Sequence, residues 1–288
     1  MAVTATICAF SGPIAAKEIF RKRSLYRDIL VYESGGQRCM KFGIHDAGRQ
    51  SCISLTNPDR LVFDYTRMLL SALYLNPNPQ RILVIGLGGG SVPGALQALL
   101  PAATIDCVEI DPAVGEVAAQ FFSFQPGRNT TLHFQDGRVF VKRAAQKQAK
   151  YDLIVLDAFD HMYVPEHLLT KEFLSEVRTL LSANGVVAAN TFSSSRLYDS
   201  ESATYSSVFG QFFNLKADNR VILATPGSLP TRETLSRNAD AIEAQFQRLG
   251  TGRASLLPMF ALDVKWPAGT RILTDQYSPA NLLNGGRY

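Results

Sequence analysis

Cysteines at CxxC spacing, metal-spaced histidines, long apolar runs and charge of one dominant sign are all missing from this sequence. Its four cysteines, Cys8, Cys39, Cys52 and Cys107, include no CxxC pair, which excludes a metal knuckle. Such sparse usage suits a reducing compartment, so disulfides are not expected. No HxxH or HxxxH spacing occurs among the four histidines, and no metal is expected. No apolar run reaches membrane-spanning length. Residues 1–16 are mildly apolar but lack the basic stretch of a signal peptide, so a cytoplasmic protein is expected. The formal charge of +4 is mild, and the densest basic run, Arg21-Lys22-Arg23, is too short to read as a nucleic-acid patch. Ser193-Ser194-Ser195 lies in no GxSxG elbow, which argues against a nucleophilic serine. The single tryptophan, Trp266, reads as packing.

What is present is an ordinary globular composition, 46% hydrophobic and 19% charged over 288 residues. That length suits one large domain plus a small one. The first part reads as short strands. Residues 28–33 and 38–42 flank Ser34-Gly35-Gly36, a hairpin signal. Over 59–75 the period changes, and Leu61, Tyr65, Met68, Leu69 and Ala72 share one helical face. Asn76-Pro77-Asn78-Pro79 then breaks the chain and sets the expected boundary between a β-rich domain, 1–76, and a second domain, 77–288.

From residue 81 strands alternate with helices. Strands are expected at 81–86, 104–109, 131–135, 152–157, 186–192 and 220–224. Helices are expected at about 92–100, 112–122, 139–149, 165–181 and 201–213. This alternation predicts an α/β, doubly wound, mostly parallel sheet. Ligands bind such sheets at the carboxyl ends of the strands, so those ends carry the argument. The first ends in Gly86-Leu87-Gly88-Gly89-Gly90-Ser91, where glycines let a nucleoside approach the backbone. Ser91 breaks the dinucleotide GxGxxG pattern. The second ends in Glu109-Ile110-Asp111, an acid placed to accept both ribose hydroxyls. Asp136-Gly137 follows the third, where the carboxylate can accept from an adenine amino group, cap the next helix, or do both. Asp157-Ala158-Phe159-Asp160 closes the fourth, a pair of carboxylates at the expected reaction centre. His161 and His167 stand beside that loop and read as polar surface more readily than as catalysts.

Over residues 24–224 the sequence resembles the spermidine synthase (polyamine aminopropyltransferase) family, in its bacterial spermidine synthase-like branch. Ser24-Leu25-Tyr26-Arg27-Asp28-Ile29-Leu30-Val31 resembles that family's opening motif. Gln50 resembles the glutamine after its first hairpin, and Phe63-Asp64-Tyr65-Thr66-Arg67-Met68 resembles its tyrosine helix. Residues 82–91, 109–111, 136–137 and 151–160 resemble its glycine loop, EID, DG and aspartate loop. The closing residues 273–279 resemble its tail. The resemblance implies a Rossmann-like class I methyltransferase fold behind a small N-terminal β-rich domain. By the same resemblance Glu109 holds ribose, Asp136 contacts adenine, Asp157 is the general base and Tyr65 orients the amine, with Asp160 beside them. Gln50, Gly86, Gly88, Gly89, Gly137 and Asp157 would line the site for decarboxylated S-adenosylmethionine or S-adenosylmethionine.

Three departures from the family pattern bear on substrate. Gly89 stands where the family's loop has an aspartate that pairs with the aminopropyl ammonium. Thr66 stands where the family has a glutamine. The aromatic polyamine-site signature is not visible in residues 213–220. The expected function is aminopropyl transfer to a small-molecule amine, by a homodimer without nucleic-acid or membrane partners. The alternatives are a methyltransferase using intact S-adenosylmethionine and, outside enzymes, a non-catalytic nucleoside-binding protein. Losing the loop aspartate favours the methyltransferase. Two like charges about 4 Å apart at an effective dielectric near 20 repel by roughly 4 kcal/mol.

Overall fold

The computed structural model describes residues 16–43, 48–159, 165–193, 197–262 and 264–284. An antiparallel sheet opens the chain, with β1 (Lys17–Arg23), β2 (Asp28–Ser34), β3 (Gln37–Phe42) and β4 (Ser51–Ser54) in that order. The β2–β3 hairpin turns on Gly35 and Gly36, both at positive φ. One face of this sheet, with Ile29, Val31 and Met40 fully buried, shares a core with Val92 and Phe122 of the following α/β layer.

Cys39 and Cys52 are joined by a disulfide, correcting the expectation that there would be none. They lie opposite each other in the β3–β4 register, with Cα atoms 4.1 Å apart. Cysteine counts and spacing carry no information about that register, which is set by the hairpin and the burial pattern.

The helix expected over 59–75 is shorter. Leu61 instead bridges to Ile53 after a turn at residues 57–60, and the helix begins only at α1 (Asp64–Leu70), which tightens into a 3-10 turn at Ser71–Tyr74. There follow β5 (Arg81–Ile85), α2 (Ser91–Leu99), β6 (Thr104–Glu109), α3 (Pro112–Phe121), β7 (Thr130–Phe134), α4 (Gly137–Gln146) and β8 (Tyr151–Leu156). Next come α5 (Lys171–Leu180), β9 (Leu181–Phe192), α6 (Leu197–Phe209), β10 (Phe213–Lys216), β11 (Asn219–Ala224) and α7 (Arg232–Arg248). The single helix expected at 165–181 is a 3-10 turn, Glu166–Leu168, then α5, because Thr170 caps a new start, its hydroxyl accepting from Phe173 N. Where helix was expected to run to 213, the chain instead forms the β10–β11 hairpin.

The large sheet has the order β10-β11-β9-β8-β5-β6-β7. β5 to β9 are parallel, while β11 and β10 return antiparallel at one edge. Helices cover both faces, and Ile82, Leu83 and Val84 of β5 are wholly inaccessible. Each such aliphatic side chain contributes roughly 1.5–3 kcal/mol on burial. After β5 the chain winds outward through β6 and β7, then returns to the other side of β5 as β8. The switch point therefore lies between the carboxyl ends of β5 and β8, the place where such sheets bind ligands. Among the described residues no helix is long and apolar enough to cross a membrane.

Candidate active site

A cleft of about 1150 Å³ opens at that switch point, between the large sheet and the N-terminal sheet. Its lining includes Gln50, Tyr65, Gly86, Gly88, Glu109, Asp136, Gly137 and Asp157, so the fold brings these sequence-predicted residues together. Asp160 and His161 lie outside the described residues.

The nucleoside half of the cleft is built from strand ends. Glu109 closes β6 and turns back toward the glycine loop. Its two carboxylate oxygens accept from Leu87 N at 3.1 Å and Asp111 N at 3.0 Å. Burial raises its pKa, opposed by those backbone N–H groups. Asp136 caps α4 by accepting from Val139 N at 2.9 Å, and its second oxygen meets His167 Nε2 at 2.8 Å. Cap and cleft residue are thus the same side chain. His167 is tied to that carboxylate rather than to Asp157.

Gln50 precedes β4 and lines the cleft from the N-terminal sheet, its backbone N–H held by Met40 O at 2.9 Å. Next to it Ser51 is buried, and its hydroxyl accepts from Gly89 N at 2.9 Å. A Cβ on Gly89 would meet Ser51 Oγ at 2.8 Å and the Phe122 ring at 3.0 Å. Gly89 does not itself line the cleft, contrary to the expectation from sequence; it is buried directly behind Ser51, which lines the cleft together with Gly86 and Gly88.

Asp157 sits where β8 ends. Its N–H donates to Ile85 O at 2.8 Å, continuing the β5–β8 ladder by one residue. Asn190, at the end of β9, donates to Asp157 Oδ1 at 2.9 Å. Enclosure pushes the Asp157 carboxyl up to about 6, against the Asn190 hydrogen bond and helped by the negative charge of Glu109. Tyr65, from α1, faces the same carboxylate, and burial followed by that charge raises its phenol well above the ordinary range. Phe63 stacks beside Tyr65 at 5.7 Å, and Phe159 packs on Phe192 at 5.4 Å. All four aromatic rings line the cleft. A carboxylate with an elevated pKa in an aromatic-walled cleft can accept a proton near neutral pH.

Sequence reasoning missed Ser51, Asn190, Asn219 and the paired phenylalanines Phe159 and Phe192. Asn190 did leave a signal, as the one amide ending the apolar run 186–190 at a strand's carboxyl end. Ser51 left none, because its role depends on how the two sheets meet.

The family described as the spermine/spermidine synthase domain matches residues 62–224. A polyamine aminopropyltransferase from Vibrio vulnificus is 46% identical, covering 97% of this chain and 96% of that protein. Among solved structures, a probable spermidine synthase from Corynebacterium glutamicum superposes with a TM-score of 0.68 at 18% identity. That match covers 92% of this chain and 97% of the other. Human methyltransferase-like protein 13 in complex with SAH superposes with a TM-score of 0.58 at 27% identity, covering 64% of this chain and 93% of that one.

Proposed function

Because this chain belongs to the spermine/spermidine synthase family, we propose that it moves an aminopropyl group from decarboxylated S-adenosylmethionine to a small amine. The observation that carries this reading is Asp157, a carboxylate with its pKa near 6 facing Tyr65 at the floor of the cleft. The nucleoside half fits an adenosyl group, since Gly86 and Gly88 bring the loop backbone to the cleft and the Glu109 and Asp136 carboxylates line it at the ends of β6 and β7.

When bound, decarboxylated S-adenosylmethionine supplies a methylene carbon activated by its sulfonium. Asp157 takes the proton released as the acceptor nitrogen bonds to that carbon and the carbon–sulfur bond breaks. Methylthioadenosine is the leaving group. Tyr65 orients the amine, and the aromatic walls formed by Phe63, Phe159 and Phe192 exclude water from the sulfonium-activated carbon. Glu109 and Asp136 hold ribose and adenine, and Gln50 borders them from the N-terminal sheet.

A second reading, methyl transfer from intact S-adenosylmethionine, is favoured by one observation. Gly89 brings no carboxylate to repel that of the intact cofactor, and Ser51 occupies the adjoining space. Two measurements separate the readings. Calorimetry compares binding of the two cofactors, and turnover is followed with decarboxylated S-adenosylmethionine and 1,4-diaminobutane. Tight binding of the intact cofactor alone, with no product from the amine, would overturn the aminopropyltransferase assignment.

A further inference from the structure

The base at the cleft floor is held by a relay of two amides. Asn219 Nδ2 donates to Asn190 Oδ1 at 3.0 Å, and Asn190 Nδ2 donates to Asp157 Oδ1 at 2.9 Å. Antiparallel pairing makes the relay possible. Asn219 stands opposite Phe192 and Asn190 opposite Val221, so the two amides are diagonal neighbours on one face of β9 and β11. Asn190 is only 5% exposed, and both amides line the cleft.

An amide beside a carboxylate can present either end. Turned the other way, Asn190 would set its carbonyl against the Asp157 carboxylate and its NH₂ against that of Asn219. Both contacts would repel. The Asn219 donor therefore fixes which end of Asn190 faces the base. We propose that Asn190, oriented by Asn219, is a positioning residue for Asp157. It holds Oδ1 so that Oδ2 is presented to the acceptor, and it keeps the carboxylate charged at neutral pH. Among the described residues, Oδ2 accepts no hydrogen bond from the protein.

The groups facing Asp157 come from three other elements. Glu109 at the end of β6 favours its protonated form, Tyr65 of α1 faces it as a neutral phenol, and Asn190 of β9 favours the charged form. Asn190 is thus the described counterweight to burial and to Glu109. A hydrogen bond to a buried carboxylate matters most where water cannot replace it.

The role of Asp157 as base rests on the proposed function, so the test reads the carboxylate directly as well as turnover. Protein labelled with ¹³C at aspartate is titrated by NMR, with the Asp157 signal assigned by its loss in Asp157→Asn. Asn190→Ala is expected to move the Asp157 midpoint up by about one unit or more. Asn219→Ala should move it less and in the same direction. The double variant should move it no further than Asn190→Ala, since Asn219 acts only through Asn190. The acid limb of kcat/KM for 1,4-diaminobutane should shift in parallel, with the KM for decarboxylated S-adenosylmethionine unchanged.

An unmoved Asp157 midpoint in a variant with parent-like circular dichroism and Tm overturns the proposal, as does an additive double variant. If Asn190→Ala does not fold, Asn219→Ala, at the less buried of the two amides, decides by the same titration. Should the parent fail to turn over the diamine, the functional reading falls while the titration still judges the relay.

Discussion

The Cα of Gly86 lies against the backbone carbonyl of Asp157, so close that a Cβ built on Gly86 would sit 2.0 Å from that oxygen. The glycine loop and the base loop are therefore one packed unit. Gly86 also holds φ near +101°, which a side chain adopts only with strain. Gly86→Ala is expected to cost about 1–3 kcal/mol from backbone conformation alone, with the steric clash in addition. It should also move Asp157 away from Tyr65. Chemical denaturation and cofactor calorimetry measure both. A variant with parent stability and affinity would show that the two loops are independent.

Asp157 sets the expected pH dependence. A base must be deprotonated to act, so kcat/KM should climb as pH rises through about 6, the value to which burial pushes this carboxyl. An ordinary exposed aspartate would place that limb near pH 4. Asp157→Asn should lower kcat by roughly 10²–10⁴ while leaving cofactor affinity nearly intact. Parent-rate turnover in that variant would remove the assignment.

The fold and the cofactor half of the cleft were legible because both are written locally. Apolar strands end in Gly86, Glu109, Asp136 and Asp157 at regular intervals, and a doubly wound sheet brings its strand ends to one edge. The acceptor half was less legible. Asn190 and Asn219 meet through a pairing of β9 with β11, and residues 213–216 form a strand only because that hairpin completes the sheet edge. Cys39 and Cys52 pair for a similar reason, a register that spacing does not encode.

Ser51 and Gly89 make a separable test of cofactor choice. Gly89→Asp brings in the carboxylate that the family loop carries, but its Cβ would crowd Ser51 Oγ at 2.8 Å. The single variant is expected to lose stability and affinity for both cofactors. Ser51→Gly in the same chain relieves the contact with Ser51 and leaves only the Phe122 ring, at 3.0 Å, to give way. The double variant should then prefer the decarboxylated cofactor, whose ammonium a carboxylate attracts and whose lack of a carboxylate avoids repulsion. Titrations of parent, single and double variants with each cofactor decide it. An unchanged affinity ratio in the double variant would place Gly89 away from the aminopropyl end.

The Cys39–Cys52 bridge closes a short loop between β3 and β4, directly before which Ser51 reaches Gly89. Removing such a cross-link releases roughly 3 kcal/mol of unfolded-state restriction. The pair Cys39→Ser with Cys52→Ser should lower Tm by roughly 5–10 °C. Reductant should lower the parent Tm likewise and leave the variant unmoved. A parent insensitive to reductant would mean that the bridge does not form in solution.

The C-terminal segment is clasped to the cleft by Arg138. Its guanidinium pairs with both oxygens of Asp275 at 2.6 and 2.8 Å and with both oxygens of Glu176 at 3.0 Å. Thr170 donates to the same Asp275 carboxylate, and Lys171 N donates to Leu273 O. Ser278 and Asn281 bind Glu166, next to the cleft residues Pro165 and His167. The tail thereby steadies the segment from which His167 reaches Asp136. The Arg138 hydrogen bonds hold the Asp275 carboxyl below its usual range. A depressed acid contributes stability above its unfolded pKa, near 3.9, and that contribution is lost as pH falls through the lower folded value. The clasp should therefore be fully closed at neutral pH and open only in strong acid. Arg138→Met leaves Glu176 and Asp275 with Lys142 as their one nearby cation among the described residues and is expected to cost about 1–3 kcal/mol, softened by their exposure to water. Asp275→Asn is the milder change, since it keeps shape and one acceptor. Limited proteolysis should cut the tail of both variants faster than the parent's, Arg138→Met fastest. Cofactor affinity should fall in the same order, because His167 and Asp136 lose their support. Faster cleavage without any loss of affinity would show that the tail stabilises the fold but does not shape the adenosyl end of the cleft.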